Sequence, residues 1–190
     1  MLDRIGFCMW HTVHSFTLFE MMTSPSFQFA VAGRVGVDTV MITVTDHYDR
    51  YLNLEEVQLF DQLGRQISSA SLIFTLSSTL NGDASYVANK CNDGIIPASA
   101  SDEQNLCHTN AETGAFLRIQ IIGGLSVNQI VIWNRVDLGK ERINGATVAA
   151  YVGGAMVWST IVPSTSAMMY SFVVGYFTTG MDALKLTVLL

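Results

Sequence analysis

The sequence lacks the long hydrophobic run that would cross a membrane. No stretch of about 18 consecutive apolar residues occurs, so the sequence predicts no transmembrane span. The nearest candidate, 166–190, is interrupted by Asp182 and Lys185. Residues 1–14 also make a poor secretory signal, because their apolar part is short and contains His11. We therefore predict no transmembrane span, and the sequence shows no convincing signal peptide.

Charge is also scarce, and it is mostly negative. Charged residues make up 14% of the 190 residues and apolar residues 49%, a balance opposite to that of disordered chains. The net charge of −6 indicates no nucleic-acid partner, since such partners usually require a basic face. The length fits one domain and is short for two.

Familiar catalytic motifs are missing as well. The sequence contains no GxSxG, no HExxH and no phosphate-binding glycine loop. The adjacent Glu55 and Glu56 would point to opposite faces of a strand, so they cannot share a proton as a glycosidase pair does. We therefore expect a protein that is not an enzyme.

Only three cysteines are present, and none forms the CxxC spacing of a zinc site. Cys91 and Cys107 bracket a polar loop of 15 residues, which a disulfide can close with a benefit of about 3 kcal/mol. The alternative is two free thiols, as in a reducing cytosol. Because both cysteines lie in loop-like sequence, we expect the disulfide.

What the chain does contain is a series of short β-type segments. Residues 37–45 (VDTVMITVT) are rich in β-branched residues and predict a strand. Residues 51–60 (YLNLEEVQLF) place their apolar residues near one face, with a bulge near Glu55 and Glu56. A helix is the competing interpretation, because Leu-Glu-Glu favours helices, but the following DQLG at 61–64 resembles a hairpin turn.

Further strand-like segments follow a Ser/Thr-rich, loop-laden β region at 68–85 and a long irregular segment at 89–109. They are 116–122, 127–134, 146–151, 156–161 and 169–174. Six to eight short strands at this spacing predict a β-sandwich or barrel. We place this sandwich at 35–175, between an N-terminal extension of uncertain structure at 1–34 and a C-terminal tail at 176–190.

The segment 134–147 (NRVDLGKERINGAT) contains Arg135, Asp137 and Arg142, and His108 lies 27 positions before Arg135. The spacing H-x26-R-x-D-x4-R resembles the sugar-binding motif of the F-type lectins, or fucolectins, a branch of the discoidin-like galactose-binding domains. The segments YLNLEEVQLFD, SSTLNGDASYVANKCNDG, NLCHT and IVIWNRVD are similar to passages of the same family. The similarity covers residues 37–174.

This resemblance implies an all-β fold, the discoidin-like (galactose-binding domain-like) jelly-roll β-sandwich. It also implies a non-catalytic, lectin-like domain that binds a hexose or fucose-like sugar through His108, Arg135 and Arg142, with Asp137 orienting the guanidinium groups. The chemistry agrees with this expectation. Arginine offers a fixed fork of donors and histidine can donate or accept, which suits hydroxyl groups that do both.

The sequence departs from the family at two places. F-type lectins carry two adjacent cysteines after the motif aspartate, and here Leu138 and Gly139 stand there. Leu138 is expected to offer an apolar contact instead, and the identity of the sugar is left open.

The family's structural calcium is the second departure, because Asp93-Gly94 is followed by apolar residues. The ligands expected to replace the usual ones are Asp93, Asp102, Glu103 and Asn105, since calcium accepts oxygen ligands in flexible geometry. Calcium is the one cofactor that we predict.

Two other functions remain open. The apolar excess of both termini is typical of a structural or interaction protein that docks to another protein, to a second copy or to a larger assembly. The chain can also be an accessory domain of a larger enzyme. The resemblance and the predicted disulfide together favour an extracellular, cell-surface or secretory-pathway location.

Overall fold

The computed structural model describes residues 36–44, 50–96 and 105–175. The predicted N-terminal extension at 1–34 and C-terminal tail at 176–190 lie outside these residues. Within them, no helix has the length and apolar character required to cross a bilayer.

The described residues form two antiparallel sheets that pack as a β-sandwich. The strands are β1 Val37–Thr43, β2 Asn53–Phe60, β3 Leu72–Leu76, β4 Cys107–His108, β5 Phe116–Leu125, β6 Gln129–Asn134, β7 Thr147–Val152, β8 Ala155–Ile161 and β9 Met169–Val173. One sheet has the order β3-β5-β1-β7-β8 and the other has the order β4-β2-β6-β9. The prediction of an all-β sandwich is confirmed.

Alternating apolar side chains along the strands point between the two sheets and form the core. On β5, Leu117, Ile119 and Ile121 are buried while Gln120 is exposed, and on β6 Ile130 and Ile132 are buried. Each such side chain contributes about 1.5–3 kcal/mol when it leaves water. The pleat of a half-buried strand produces this pattern, which is why these segments were recognisable in the sequence.

Strand β2 has the bulge that its sequence predicts, because the pairing with β6 shifts register between Leu54 and Glu56. The helical alternative for this segment is wrong. The turn after β2 is also as predicted: the Asp61 amide donates to the Arg65 carbonyl at 2.9 Å, and Gly64 adopts a φ of +71°. Glycine reaches this conformation without the strain that other residues would meet.

Two short strands were not delimited from the sequence: β3 lies in the predicted loop-laden β region, and β4 lies in the segment that we expected to be irregular. Strand β3 falls inside the Ser/Thr-rich region and pairs with β5, and β4 is a two-residue strand paired with the start of β2. Both are edge strands of their sheets. Segments this short carry too few residues for a visible alternation.

The predicted disulfide between Cys91 and Cys107 is present, with a Cα–Cα distance of 5.3 Å. Cys91 lies in a short 3-10 helix, Ala88–Asn92, and Cys107 begins β4. The bond therefore attaches the loop before β4 to the edge of the four-stranded sheet.

Candidate functional site

His108 is positioned by its pairing across β2 and β4. It lies opposite Asn53, the first residue of β2. The next residue, Thr109, donates its amide to the Leu52 carbonyl at 2.9 Å, and its hydroxyl oxygen accepts from the Leu52 amide at 2.9 Å. These bonds fix the backbone of both strands next to the pair. The His108 side chain is consequently held near the sheet and is only 6% exposed.

Arg135 reaches the same end of the sheet from β6. The last residue of β6, Asn134, pairs with Leu54, so the chain leaves the strand beside Asn53. Asp137 accepts two hydrogen bonds from Arg135, from Nε to Oδ1 at 2.5 Å and from Nη2 to Oδ2 at 2.5 Å. This bidentate pair fixes the plane of the guanidinium group.

Arg142 comes from the 3-10 helix Lys140–Ile143, which follows Gly139. Gly139 has a φ of +93°, and a Cβ atom there would lie 3.0 Å from Nε and Cζ of Arg142. A side chain at this position would therefore push against the guanidinium group. Arg50 donates from Nη2 to the Arg142 carbonyl at 2.5 Å, and this bond ties the 3-10 helix to Arg50.

The three basic side chains converge on the Asn53 amide oxygen. It accepts hydrogen bonds from Arg135 Nη1 at 2.6 Å and from Arg142 Nη1 at 3.0 Å, and His108 Nε2 lies 3.2 Å away. This amide orientation is the favourable one, because the opposite orientation would aim the NH2 group at two guanidinium donors. We call Asn53, His108, Arg135 and Arg142 the basic cluster.

Two tyrosines border the basic cluster. The guanidinium carbon of Arg142 lies 4.7 Å from the centroid of the Tyr51 ring, a cation–π geometry. Tyr51 and Tyr86 each make a T-shaped contact with the His108 ring, at centroid distances of 5.2 and 5.6 Å. The cluster therefore combines hydrogen-bond donors with aromatic surface.

The protonation of His108 follows from its surroundings. The ring Nδ1 lies 2.7 Å from the Thr109 carbonyl, an acceptor, so Nδ1 carries a proton. Burial lowers the pKa of His108 from its ordinary 6.5, as do Arg142 and Arg135, and the bond to Thr109 opposes them. Burial and the two arginines thus disfavour a charged ring, while both ring nitrogens face oxygen acceptors, Nδ1 the Thr109 carbonyl and Nε2 the Asn53 amide.

The structure brings together His108, Arg135, Arg142 and Asp137 of the predicted ligand residues. Leu138 follows Asp137 and is 90% exposed, so its side chain is available at the surface of the same loop. Asn53, Tyr51 and Tyr86 were not among the residues predicted from the sequence. A signal for Asn53 was present, because a polar residue inside the apolar run YLNL indicates a buried polar group.

The predicted calcium ligands are only partly described. Asp102 and Glu103 lie outside the described residues. Asp93 Oδ1 accepts from Asn105 Nδ2 at 3.1 Å, and Lys90 Nζ donates to Asn105 Oδ1 at 3.2 Å. The described residues contain no group of three metal-ligating side chains. With an ammonium group beside them, Asp93 and Asn105 do not by themselves fit a calcium ion, and calcium stays a prediction.

A second acidic residue lies near Asp93 and was not predicted as a site residue. Glu56 is 1% exposed and borders a cavity of about 310 Å³ whose other lining residues include Asn92, Asp93 and Gly94. Burial raises the pKa of Glu56 to about 7, although the hydrogen bond from the Gly94 amide opposes this shift. The carboxyl group is thus partly protonated at neutral pH.

No family model, curated protein or solved structure matches this chain. The class of protein is therefore defined by its own features. It is an antiparallel two-sheet β-sandwich with a disulfide and a largely buried basic cluster at one end of β2 and β6.

Proposed function

We propose that this β-sandwich is a non-catalytic carbohydrate-binding domain, and that the basic cluster binds hydroxyl groups of a hexose or fucose-like sugar. The observation that carries the proposal is the convergence of His108, Arg135 and Arg142 on one point, within 3.2 Å of the Asn53 oxygen. Residues 27 positions apart in the sequence meet there. If the motif had occurred by chance, these three side chains would not be expected to lie close together.

The chemistry of the cluster supports a ligand rich in hydroxyl groups. Arg135 and Arg142 supply charged donors, and the His108 ring, whose nitrogens can donate or accept, lies beside them. A sugar with neighbouring hydroxyl groups can accept from the two guanidinium groups through its hydroxyl oxygens. The exposed Leu138 and the rings of Tyr51 and Tyr86 offer apolar surface for the C–H faces of a pyranose.

The proposal extends to the fold and its setting. We propose the discoidin-like jelly-roll topology and kinship with the F-type lectins on the strength of the sequence resemblance alone. The disulfide supports an extracellular, cell-surface or secretory-pathway location, because such bonds persist in oxidising compartments.

Binding to an array of immobilised glycans, followed by calorimetry with the best ligand, tests the proposal. Arg142→Ala should lower the affinity by about 1.5–3 kcal/mol, roughly 10- to 150-fold. Arg135→Ala should do the same, with circular dichroism to check folding. Arg65→Ala is the matched control, because Arg65 is exposed and follows the opposite end of β2.

Equal binding by wild type and Arg142→Ala would refute the sugar site. Turnover of any glycoside by the purified chain would refute the non-catalytic part of the proposal. Either outcome can be obtained without knowing the natural ligand.

A second candidate function is docking to a protein partner or to a second copy. Apolar side chains are exposed on the two edge strands β8 and β9, with Met156 59% and Ile161 65% exposed on β8 and Val173 69% exposed on β9. Exposed edges with apolar side chains favour pairing with another chain. Sedimentation velocity should then show self-association that Ile161→Lys weakens, whereas a strict monomer at every concentration argues against a homo-oligomer.

A further inference from the structure

The two arginines of the basic cluster differ in how their positive charges are balanced. Arg135 has a carboxylate partner, because Asp137 accepts from its Nε and Nη2 at 2.5 Å. Arg142 has no carboxylate at salt-bridge distance among the described residues, and its guanidinium group donates there to the uncharged Asn53 amide. In that part of the chain, one guanidinium charge of the cluster therefore has no anion beside it.

The guanidinium group of Arg142 also keeps donors that its described neighbours do not use. Its Nη1 donates to the Asn53 oxygen at 3.0 Å, whereas Nε and Nη2 donate to no other described residue. Neither of these two nitrogens belongs to the buried polar atoms that lack a hydrogen bond, so both are open to solvent. The N–H groups of Nε and Nη2 point in parallel from one edge of the guanidinium group, and a carboxylate accepts from such a fork in a bidentate pair.

The surroundings of Arg142 hold this fork in place without occupying it. The guanidinium carbon lies over the Tyr51 ring, 4.7 Å from its centroid. Gly139 brings no side chain toward Arg142, and a Cβ atom at this position would lie 3.0 Å from Nε and Cζ. Arg50 Nη2 donates to the Arg142 carbonyl and so fixes the backbone that carries the side chain. A donor fork that is already ordered loses little conformational freedom when a ligand binds.

The same edge of the guanidinium group faces a carboxylate in two arginine–aspartate pairs of the described residues. Arg135 donates from Nε and Nη2 to Asp137. Arg65 donates from Nε to Asp61 Oδ2 at 2.8 Å, and its Nη2 lies 2.7 Å from the same oxygen. At Arg142 the corresponding edge faces solvent. A carboxylate on the ligand would give Arg142 the partner that Asp137 gives Arg135.

We propose that the ligand of the basic cluster is an acidic sugar, a hexuronate whose carboxylate accepts hydrogen bonds from the Nε–Nη2 edge of Arg142. This inference rests on the proposed sugar-binding function and names the substrate class of the same site. A neutral hexose offers Arg142 only hydroxyl oxygens. A hexuronate offers an ionised acceptor, and hydrogen bonds that involve ions are roughly twice as strong as those between neutral groups.

The first experiment compares matched sugars on the wild-type protein by calorimetry. The probes are the methyl glycosides of glucuronate and galacturonate, each measured beside its neutral parent, the methyl glucoside or galactoside. In the pair that binds, the uronate should be tighter by about tenfold or more, as for one hydrogen bond to a charged group. This advantage should shrink when the ionic strength rises from about 0.01 M to about 1 M, because salt screens charges that are open to solvent.

The second experiment removes the charge of the fork or gives it a partner within the protein. Arg142→Gln keeps N–H donors without the charge, so uronate affinity should fall to that of the neutral parent. Asn53→Asp places a carboxylate between the two guanidinium groups, and the uronate should again lose its advantage. Arg65→Gln and Asn128→Asp are the matched controls, because they make the same charge changes beyond the opposite ends of β2 and β6. Both controls should keep the advantage of the uronate.

The outcomes separate the acidic sugar from sugar binding in general. Equal affinity of uronate and neutral parent in wild type, or an advantage that survives in Arg142→Gln, overturns the hexuronate and leaves the proposed function intact. Tighter binding of a sulfated hexose than of the uronate overturns the carboxylate. If no uronate, neutral hexose or immobilised glycan binds, the proposed function itself fails. Circular dichroism checks the fold of Arg142→Gln, and the wild-type comparison decides by itself if that variant does not fold.

Discussion

Two arginine–carboxylate pairs lie at opposite ends of β2, one beside the basic cluster and one in the hairpin that follows the strand. The Arg135–Asp137 side chains are each 10% exposed, whereas those of Arg65 and Asp61 are 71% and 22% exposed. Both are arginine–aspartate pairs, but one is buried and the other is exposed to solvent. Removing charges from water costs several kcal/mol per ion, which a buried pair must recover through its geometry, while an exposed pair never meets this cost.

The difference indicates what each pair contributes. In the hairpin, Asp61 Oδ1 also accepts from the backbone amides of Leu63 and Arg65, at 2.8 and 3.0 Å, so the carboxylate closes a turn. At the basic cluster, the pair fixes the guanidinium plane of Arg135. The buried pair supports Arg135 in the proposed sugar site, and the exposed pair closes a local turn.

Among variants at the two ends of β2, Asp137→Ala is expected to change the free energy of unfolding most. It leaves the Arg135 guanidinium buried without its bidentate partner, and we expect a loss of about 4 kcal/mol in the free energy of unfolding. Urea denaturation measures this loss. The double variant Arg135→Met/Asp137→Ala should recover part of it, because no buried charge remains. A loss as small as that of an exposed pair would show that water reaches Arg135 freely.

The sequence revealed the members of the cluster but not its centre. The family resemblance that rests on the spacing of His108, Arg135 and Arg142 implied that they meet, and the three side chains do meet at Asn53. Asn53 could not be assigned in the same way. Its role depends on the register of β2 against β4 and on the bulge near Glu56, neither of which a single polar residue specifies.

The fold shows a similar division. Segments with clear alternation, such as β5 and β6, were predicted nearly to their ends. The two-residue β4 was not, because its existence depends on pairing with β2 and on the disulfide at Cys107 rather than on its own residues. Short edge strands form because of tertiary contacts, and these contacts cannot be predicted from the local sequence.

Removal of the disulfide should have the next largest effect. The double variant Cys91→Ala/Cys107→Ala opens a loop of 15 residues, and we expect a loss of about 3 kcal/mol. Because Cys107 precedes His108 on β4, affinity at the proposed sugar site should fall as well. Amide exchange at Leu63 and Arg65 in the hairpin should stay unchanged below the unfolding transition. Equal acceleration of exchange at both ends would contradict a local role for the bond.

The smallest effect is expected for Arg65→Ala, compared with Asp61→Ala. Arg65 contributes an exposed ion pair that ions in solution screen, so its removal should leave the urea midpoint within the scatter of the measurement. Asp61→Ala should lower the midpoint visibly, because two backbone amides lose their acceptor. Those bonds and Arg65 hold the pKa of Asp61 below its usual range, so the same loss should appear in wild type on acidification. If Arg65→Ala matched Asp61→Ala, the ion pair and not the turn would hold the hairpin, and the contrast between the two ends of β2 would fail.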